Sequence, residues 1–132
     1  MPELPEVETV RGQLAPQTAG RRIVQVSVLD PRWCAPSAPE EAEDAIAGHL
    51  IESVDRRGKY LTLALQDEVY LVMHLRMTGN LLLVDAQEDA PDRPHLRVRM
   101  VLDDDRRVLF VDQRRFGTGV VLLGQAALLE YF

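Results

Sequence analysis

Lys59-Tyr60-Leu61-Thr62-Leu63-Ala64-Leu65 leads into Gln66-Asp67-Glu68 and then into Val69-Tyr70-Leu71-Val72-Met73-His74-Leu75. Two short, strongly apolar runs separated by a polar triplet read as a pair of strands with a hairpin-like gap between them. Downstream, the same grain continues. Leu81 to Val84 is a further apolar run, and Leu96, Val98 and Met100 alternate with Arg97 and Arg99. Asp103-Asp104-Asp105 turns the chain into Val108 to Val111, and Val120 to Leu123 reads as the last strand. The acidic, proline-containing stretch from Asp85 to Pro94 is read as a long loop.

Upstream, the period changes. From about Pro5 to Ala15 the apolar residues Leu4, Val7, Val10 and Leu14 recur at three- and four-residue spacing, which predicts a helix that ends before Gly20. Ile23 to Leu29 reads as a strand, and Asp30 to Pro39, with three prolines, as a loop. Glu40 to about Leu50 has an acidic start and one apolar face, so a second helix is expected there. Gly124 to Phe132 resembles the beginning of a third. The expected fold is mainly β with α: a β-sandwich or barrel-like core of about seven to eight strands flanked by helices.

At 132 residues the chain is long enough for one domain with a core of its own and too short for two comfortable ones. No apolar run approaches membrane-spanning length, and no signal-peptide pattern opens the chain, so no membrane partner and a cytoplasmic location are expected. Cys34 is the only cysteine, which excludes an internal disulfide and a cysteine-based zinc finger within these residues. The net charge of −6 argues against a uniformly basic nucleic-acid binder. The charges are clustered, however. Acids gather at residues 40–44, 85–92 and 103–105, and bases at residues 56–59, 93–99 and 114–115, so a basic face on an acidic protein is possible. The bases are fourteen arginines and a single lysine, Lys59.

The first residues, Met1-Pro2-Glu3-Leu4-Pro5-Glu6-Val7-Glu8, carry the chemistry. A small second residue generally permits removal of Met1, which would leave Pro2 as a secondary amine at a free chain end. An α-amino group has a pKa near ~8, so an appreciable fraction is unprotonated at neutral pH. Such an amine can attack an electrophilic sugar carbon and form an iminium, with Glu3 placed to move protons. Read alone, Pro5 and the acids after it are also an ordinary helix start.

The run Pro-Glu-Leu-Pro-Glu-Val-Glu-Thr, Pro2 to Thr9, resembles the opening of the formamidopyrimidine-DNA glycosylases, bacterial enzymes that excise oxidised purines. Tautomerases also use an N-terminal proline, but as a general base in a much smaller chain with unlike neighbours. Three further segments extend the resemblance to about Val121. Arg57-Gly58-Lys59-Tyr60-Leu61 is similar to the family's segment whose lysine meets the DNA backbone at the lesion, which implies that role for Lys59. His74-Leu75-Arg76-Met77-Thr78-Gly79 is similar to the family's His-Leu-Gly-Met-Ser-Gly turn, implying a phosphate contact for His74 and a duplex wedge for Met77. An apolar side chain that fills the gap left by a flipped base offsets lost stacking. Arg76 stands where that pattern has glycine, making the turn bulkier.

Asp112-Gln113-Arg114-Arg115-Phe116-Gly117 is similar to Asp-Pro-Arg-Arg-Phe-Gly, implying that Arg114 pairs with the base left opposite and that Phe116 stacks beside it. Gln113 replaces the proline. His95 fits the second of two histidines common in the family, and Arg93, at the first, is implied as a phosphate contact. Glu6 is implied to orient the N-terminal segment.

The resemblance thus implies a single domain over residues 1–132, the N-terminal catalytic domain of a base-excision-repair glycosylase and AP lyase. Its catalytic residues would be Pro2, Glu3 and Lys59, and its DNA contacts His74, Met77, Arg93, Arg114 and Phe116. The expected partner is damaged double-stranded DNA, bound by a monomer located with the bacterial nucleoid. The substrates implied are 8-oxoguanine and formamidopyrimidines, released through a Pro2 Schiff base and β,δ-elimination. No metal and no cofactor are expected in this chain. The family's helix-two-turn-helix and zinc-finger domains are absent from it, a zinc finger being expected only in a C-terminal part. The alternative is a non-catalytic module that probes DNA or packs against a partner half.

Overall fold

The computed structural model describes residues 4–90 and 92–132. Helix α1 (Leu4–Thr18) is followed by β1 (Ile23–Val28), α2 (Pro39–Ile46), β2 (Ile51–Arg57), β3 (Tyr60–Leu65) and β4 (Val69–His74). Then come β5 (Gly79–Val84), β6 (Leu96–Leu102), β7 (Arg107–Asp112), β8 (Thr118–Leu123) and α3 (Gln125–Tyr131). The strands form two four-stranded antiparallel sheets, ordered β1-β6-β7-β5 and β2-β3-β4-β8. The expected β-sandwich or barrel-like core of about seven to eight strands flanked by helices is realised as a sandwich of eight.

Strand β6 shows why the sandwich forms. Leu96, Val98, Met100 and Leu102 are buried while Arg97, Arg99 and Val101 between them are not, the period of two that places one face on a core. Strands β3 and β4 are buried more continuously, as central strands covered on both faces are. Trp33, Phe110, Ile46, Leu61 and Met73 fill the space between the sheets. Trp33 meets Phe110 edge to face at 5.6 Å between ring centroids.

The two larger helices seal the sandwich's open sides. Helix α1 packs on β2 and β5, one edge strand from each sheet, and α2 packs on β1 and β8, the other two. Covered edges cannot recruit another chain's strand. Val7 and Leu14 of the α1 stripe are buried and Val10 is half-buried, while the Leu4 side chain lies outside the described residues. The helix runs three residues past its expected end. Pro16 lacks an N–H, but the Thr18 hydroxyl donates to the Leu14 carbonyl and the Ala19 N–H to that of Ala15, so the turn closes without it.

Helix α2 is shorter than expected. It stops at Ile46, because Gly48 takes a left-handed φ of 86° and turns the chain so that Leu50 can bridge to Arg22. The apolar residues Ala42, Ala45, Ile46 and Leu50, read as one face, had suggested a helix continuing to Leu50. The predicted loop before β6 contains a single 3-10 turn, Ala86–Glu88, capped reciprocally by Asp85 and Glu88. Among the described residues no helix is long and apolar enough to cross a membrane.

Candidate nucleic-acid interface

The strand register gathers the candidate residues at one end of the sandwich. Arg57 pairs with Tyr60, Tyr60 with His74 and His74 with Thr118, a terminal row across the second sheet. In the first sheet Gly79 pairs with Asp112 at the same end. Two short connections cross between the sheets here. One, residues 75–78, carries Met77 from β4 to β5; the other, residues 113–117, carries Arg114 and Phe116 from β7 to β8. Lys59 sits in the β2–β3 turn at the head of the same row. The structure therefore brings together Lys59, His74, Met77, Arg114 and Phe116. Pro2 and Glu3 lie outside the described residues.

Met77 and Phe116 are large apolar side chains left 44% and 48% exposed, which separates them from core residues. Met77 forms a ridge between two open depressions. One, of about 710 Å³, is lined by Glu6, Thr9, Met77, Thr78, Asn80 and Leu81. The other, of about 500 Å³, is lined by Arg32, Arg76, Met77, Arg115, Phe116 and Thr118. Glu6, near the start of α1, thus faces the Met77 turn. Glu8 fixes that helix end to β2. It accepts from Arg11 and from Arg56 Nε at 2.9 Å, and these two guanidiniums, Arg11 foremost, bring its carboxyl down to about 2.

His74 is 7% exposed, with its ring edge-on to Tyr60 at 4.7 Å. Its Nδ1 accepts the Arg76 N–H at 2.9 Å, so the ring proton belongs on Nε2. Burial, and after it the charges of Arg76 and Lys59, lower its pKa and favour the neutral ring. A neutral imidazole with an Nε2 proton is a donor fit for an anionic oxygen. Arg76 adopts a left-handed φ of 55°, a conformation that costs a non-glycine residue roughly 1 kcal/mol or more. The glycine of the motif it resembles would sit there without strain.

The paired arginines divide their work. The Arg115 guanidinium grips the buried Asp30 in a two-pronged bond, Nε to Oδ2 at 2.8 Å and Nη2 to Oδ1 at 2.6 Å. Arg114 is exposed and has no carboxylate partner among the described residues. Arg93 reaches the same end but is tethered, its Nη2 donating to the Glu88 carbonyl at 2.9 Å while its Nε is buried without a hydrogen-bond partner among the described residues. It lines a shallow hollow with Thr78, His95 and Gln113.

The Arg115 bond holds the Asp30 carboxyl below the usual carboxylate range, against the opposing effect of burial. A depressed folded-state pKa means that this pair stabilises the fold fully above the unfolded carboxylate value of about 3.9, and that the contribution fades as pH falls through the lowered value. In urea titrations, Arg115→Ala is expected to show its largest deficit near neutral pH, with the gap to the parent protein narrowing below about pH 4. A gap independent of pH would contradict the pairing.

Charge is polarised along the strands. The far end holds the turns with Asp67, Glu68 and Asp103, Asp104, Asp105, where Arg21, Arg106 and Arg107 are engaged by the neighbouring acids. At the candidate end Arg32, Arg76 and Arg114 have no carboxylate partner among the described residues, and Arg57 lies over the Phe132 ring at 4.7 Å. The basic face suggested by the clustering is this end. Of the residues that shape it, Asp112 and Asp30 had no assigned role in the sequence reading. Both carried one local signal, an Asp two residues before a turn residue whose N–H it accepts, Arg114 for Asp112 and Arg32 for Asp30.

A chain with this sandwich and this array of exposed methionine, arginine and histidine has relatives among DNA-repair enzymes. The family profile described as the formamidopyrimidine-DNA glycosylase N-terminal domain matches residues 1–119. Formamidopyrimidine-DNA glycosylase of Chloroflexus aggregans is 50% identical over 130 residues, covering 98% of this chain and 46% of the relative. That of Moorella thermoacetica is 44% identical over 117 residues, covering 89% of this chain and 42% of the relative. Among solved structures, Lactococcus lactis FPG (MutM) in complex with FAPY-dG-containing DNA superposes with a TM-score of 0.89 at 35% identity, covering 98% of this chain and 47% of that one. MutM in complex with carbocyclic 8-oxo-G-containing DNA gives 0.90 at 35% identity, covering 99% and 47%. The chain belongs to the formamidopyrimidine-DNA glycosylase N-terminal domain family. It spans slightly less than half the length of these relatives.

Proposed function

We propose that this chain is the catalytic half of a glycosylase and AP lyase that removes oxidised purines, 8-oxoguanine and formamidopyrimidines, from double-stranded DNA. The observation that carries this reading is the exposed Met77 ridge, beside Phe116 and Arg114, at the basic end of the sandwich where α1 begins. Damaged bases lie inside a stack, and an enzyme must evert them before the glycosidic bond can be reached. Met77 enters the vacated space, Phe116 stacks on the neighbouring base, and the Arg114 fork meets the base left opposite. Lys59 and His74 bind the phosphates flanking the everted nucleotide, with Arg93 contributing along the strand. These contacts hold the sugar against the start of α1.

The chemistry begins once Met1 is removed. The unprotonated Pro2 nitrogen attacks C1′ of the damaged nucleotide as the glycosidic bond breaks, and the electron pair leaves with the base, which takes a proton delivered by Glu3. The C1′–O4′ bond then breaks, O4′ taking up the proton that the Pro2 nitrogen gives up, and an iminium is left between Pro2 and C1′. The iminium acidifies the C2′ proton, whose removal expels the 3′ phosphate; a second elimination expels the 5′ phosphate. Water then releases Pro2. Lys59 assists departure of phosphate by compensating its charge. Glu6 orients the N-terminal segment.

The remaining length of the relatives would supply the opposite wall of the DNA cleft, including the helix-two-turn-helix and any zinc finger. No resident metal or cofactor enters these steps. A monomer working at the bacterial nucleoid in the cytoplasm is the setting this reading implies. Borohydride trapping on DNA with an abasic site tests it, because reduction of the iminium would leave a stable bond between protein and sugar.

A further inference from the structure

The wedge and the probing loop leave different strands, lie more than thirty residues apart in sequence, and are joined by one buried carboxylate. Asp112, the last residue of β7, is 1% exposed. Its Oδ1 accepts the Thr78 hydroxyl, from the Met77 turn, and the Arg114 N–H at 3.2 Å. Its Oδ2 accepts the Gly117 N–H at 2.6 Å, at the far end of the Phe116 loop. The Thr78 hydroxyl oxygen in turn lies 3.2 Å from the Arg114 N–H as an acceptor. The backbone of Asp112 is also fixed, its N–H donating to the His95 carbonyl at 2.9 Å and its carbonyl accepting Arg97 Nε at 3.0 Å.

A carboxylate withdrawn from water is tolerated where donors surround it, and these donors come from both loops. Neither loop can move without breaking bonds to the other. We propose that Asp112 is a positioning residue that fastens the Met77 turn to the Arg114–Phe116 loop through Thr78, so that wedge and probe enter the duplex as one body. The inference rests on the DNA-probing reading above and adds to it a residue that touches no DNA. Its consequence is energetic coupling: removing Met77 already forfeits part of what Phe116 contributes.

The test is a double-mutant cycle of Met77→Ala and Phe116→Ala, in the intact protein with and without Thr78→Val, which deletes the bridging hydroxyl and leaves the Asp112 bonds to Arg114 and Gly117 in place. The rate at which an abasic-site analogue is everted from a duplex is followed by the fluorescence of a 2-aminopurine placed beside it. With Thr78 present, the double variant is expected to lose about tenfold less than the product of the single losses, a coupling typical of groups that act together. With Thr78→Val the losses should multiply to within about twofold, while the melt, lowered by the loss of one donor to a buried carboxylate, stays cooperative and so shows the variant folded. Asp112→Asn should weaken the coupling in the same direction. Equal coupling in both backgrounds would overturn the proposal, as would simple multiplication of losses when Thr78 is present. Failure of the parent protein to evert the abasic nucleotide at all would instead defeat the DNA-probing reading on which it rests.

Discussion

Replacing Gly119 with alanine is expected to cost at least ~3 kcal/mol, the upper end of what an overpacked core incurs. A Cβ at this position would lie 2.1 Å from Cη2 and Cζ2 of Trp33. The indole has nowhere to retreat: it is 2% exposed, edge-packed on Phe110, and tied to the same strand by the Gly119 N–H donating to the Trp33 carbonyl at 2.9 Å. Domains of this size are stable by only ~5–15 kcal/mol, so the midpoint of urea unfolding should fall steeply. Trp33→Leu would itself leave a cavity, yet combined with Gly119→Ala it should cost clearly less than the sum of the two, since each change removes the other's conflict. An unaltered urea midpoint for Gly119→Ala would show that the two sheets are not packed as described.

The largest functional effect short of blocking the amine is expected from Met77→Ala combined with Phe116→Ala. Both side chains are exposed, so their truncation should leave the unfolding midpoint nearly unchanged. Contacts between side chains and unstacked bases are worth ~1–3 kcal/mol each by alanine substitution, so together a loss of about 3 kcal/mol, or roughly a hundredfold, is expected in single-turnover excision of a paired oxidised purine. The loss should shrink to a few-fold when the same lesion sits in a bulge, where the base is already unstacked. Equal losses on paired and bulged lesions would mean that these residues serve general binding and not eversion.

The parts of this account that were legible in the sequence are those fixed by near neighbours. The alternation Leu96, Val98, Met100 and the paired runs around Gln66-Asp67-Glu68 report the strands because burial on a sheet has a period of two. The motifs likewise mark Met77, Arg114 and Phe116, since each is recognised by residues within a few positions of it. What the sequence could not display is what joins them. Thr78 meets Asp112 across 34 residues, and Arg115 meets Asp30 across 85, because strand ends distant in sequence are neighbours only after the sheets have paired. Nor could two adjacent arginines announce which would be spent on a buried aspartate. The end of α2 was misread for a simpler reason: Leu50 continues the apolar face of Ala42, Ala45 and Ile46, which one left-handed glycine, Gly48, interrupts.

The proposed chemistry begins at the Pro2 nitrogen, with DNA presented to it by the basic end of this sandwich. Its most direct test is borohydride trapping on a duplex with one abasic site, on protein whose Met1 removal is verified by mass, followed by peptide mapping of the adduct. The account predicts a covalent adduct located at Pro2, and its loss when Met1 is retained or the amine is blocked. An adduct at Lys59 that survives blocking of Pro2 would contradict the assignment of the nucleophile. No adduct from protein that binds the same duplex would leave a probing module without the proposed chemistry.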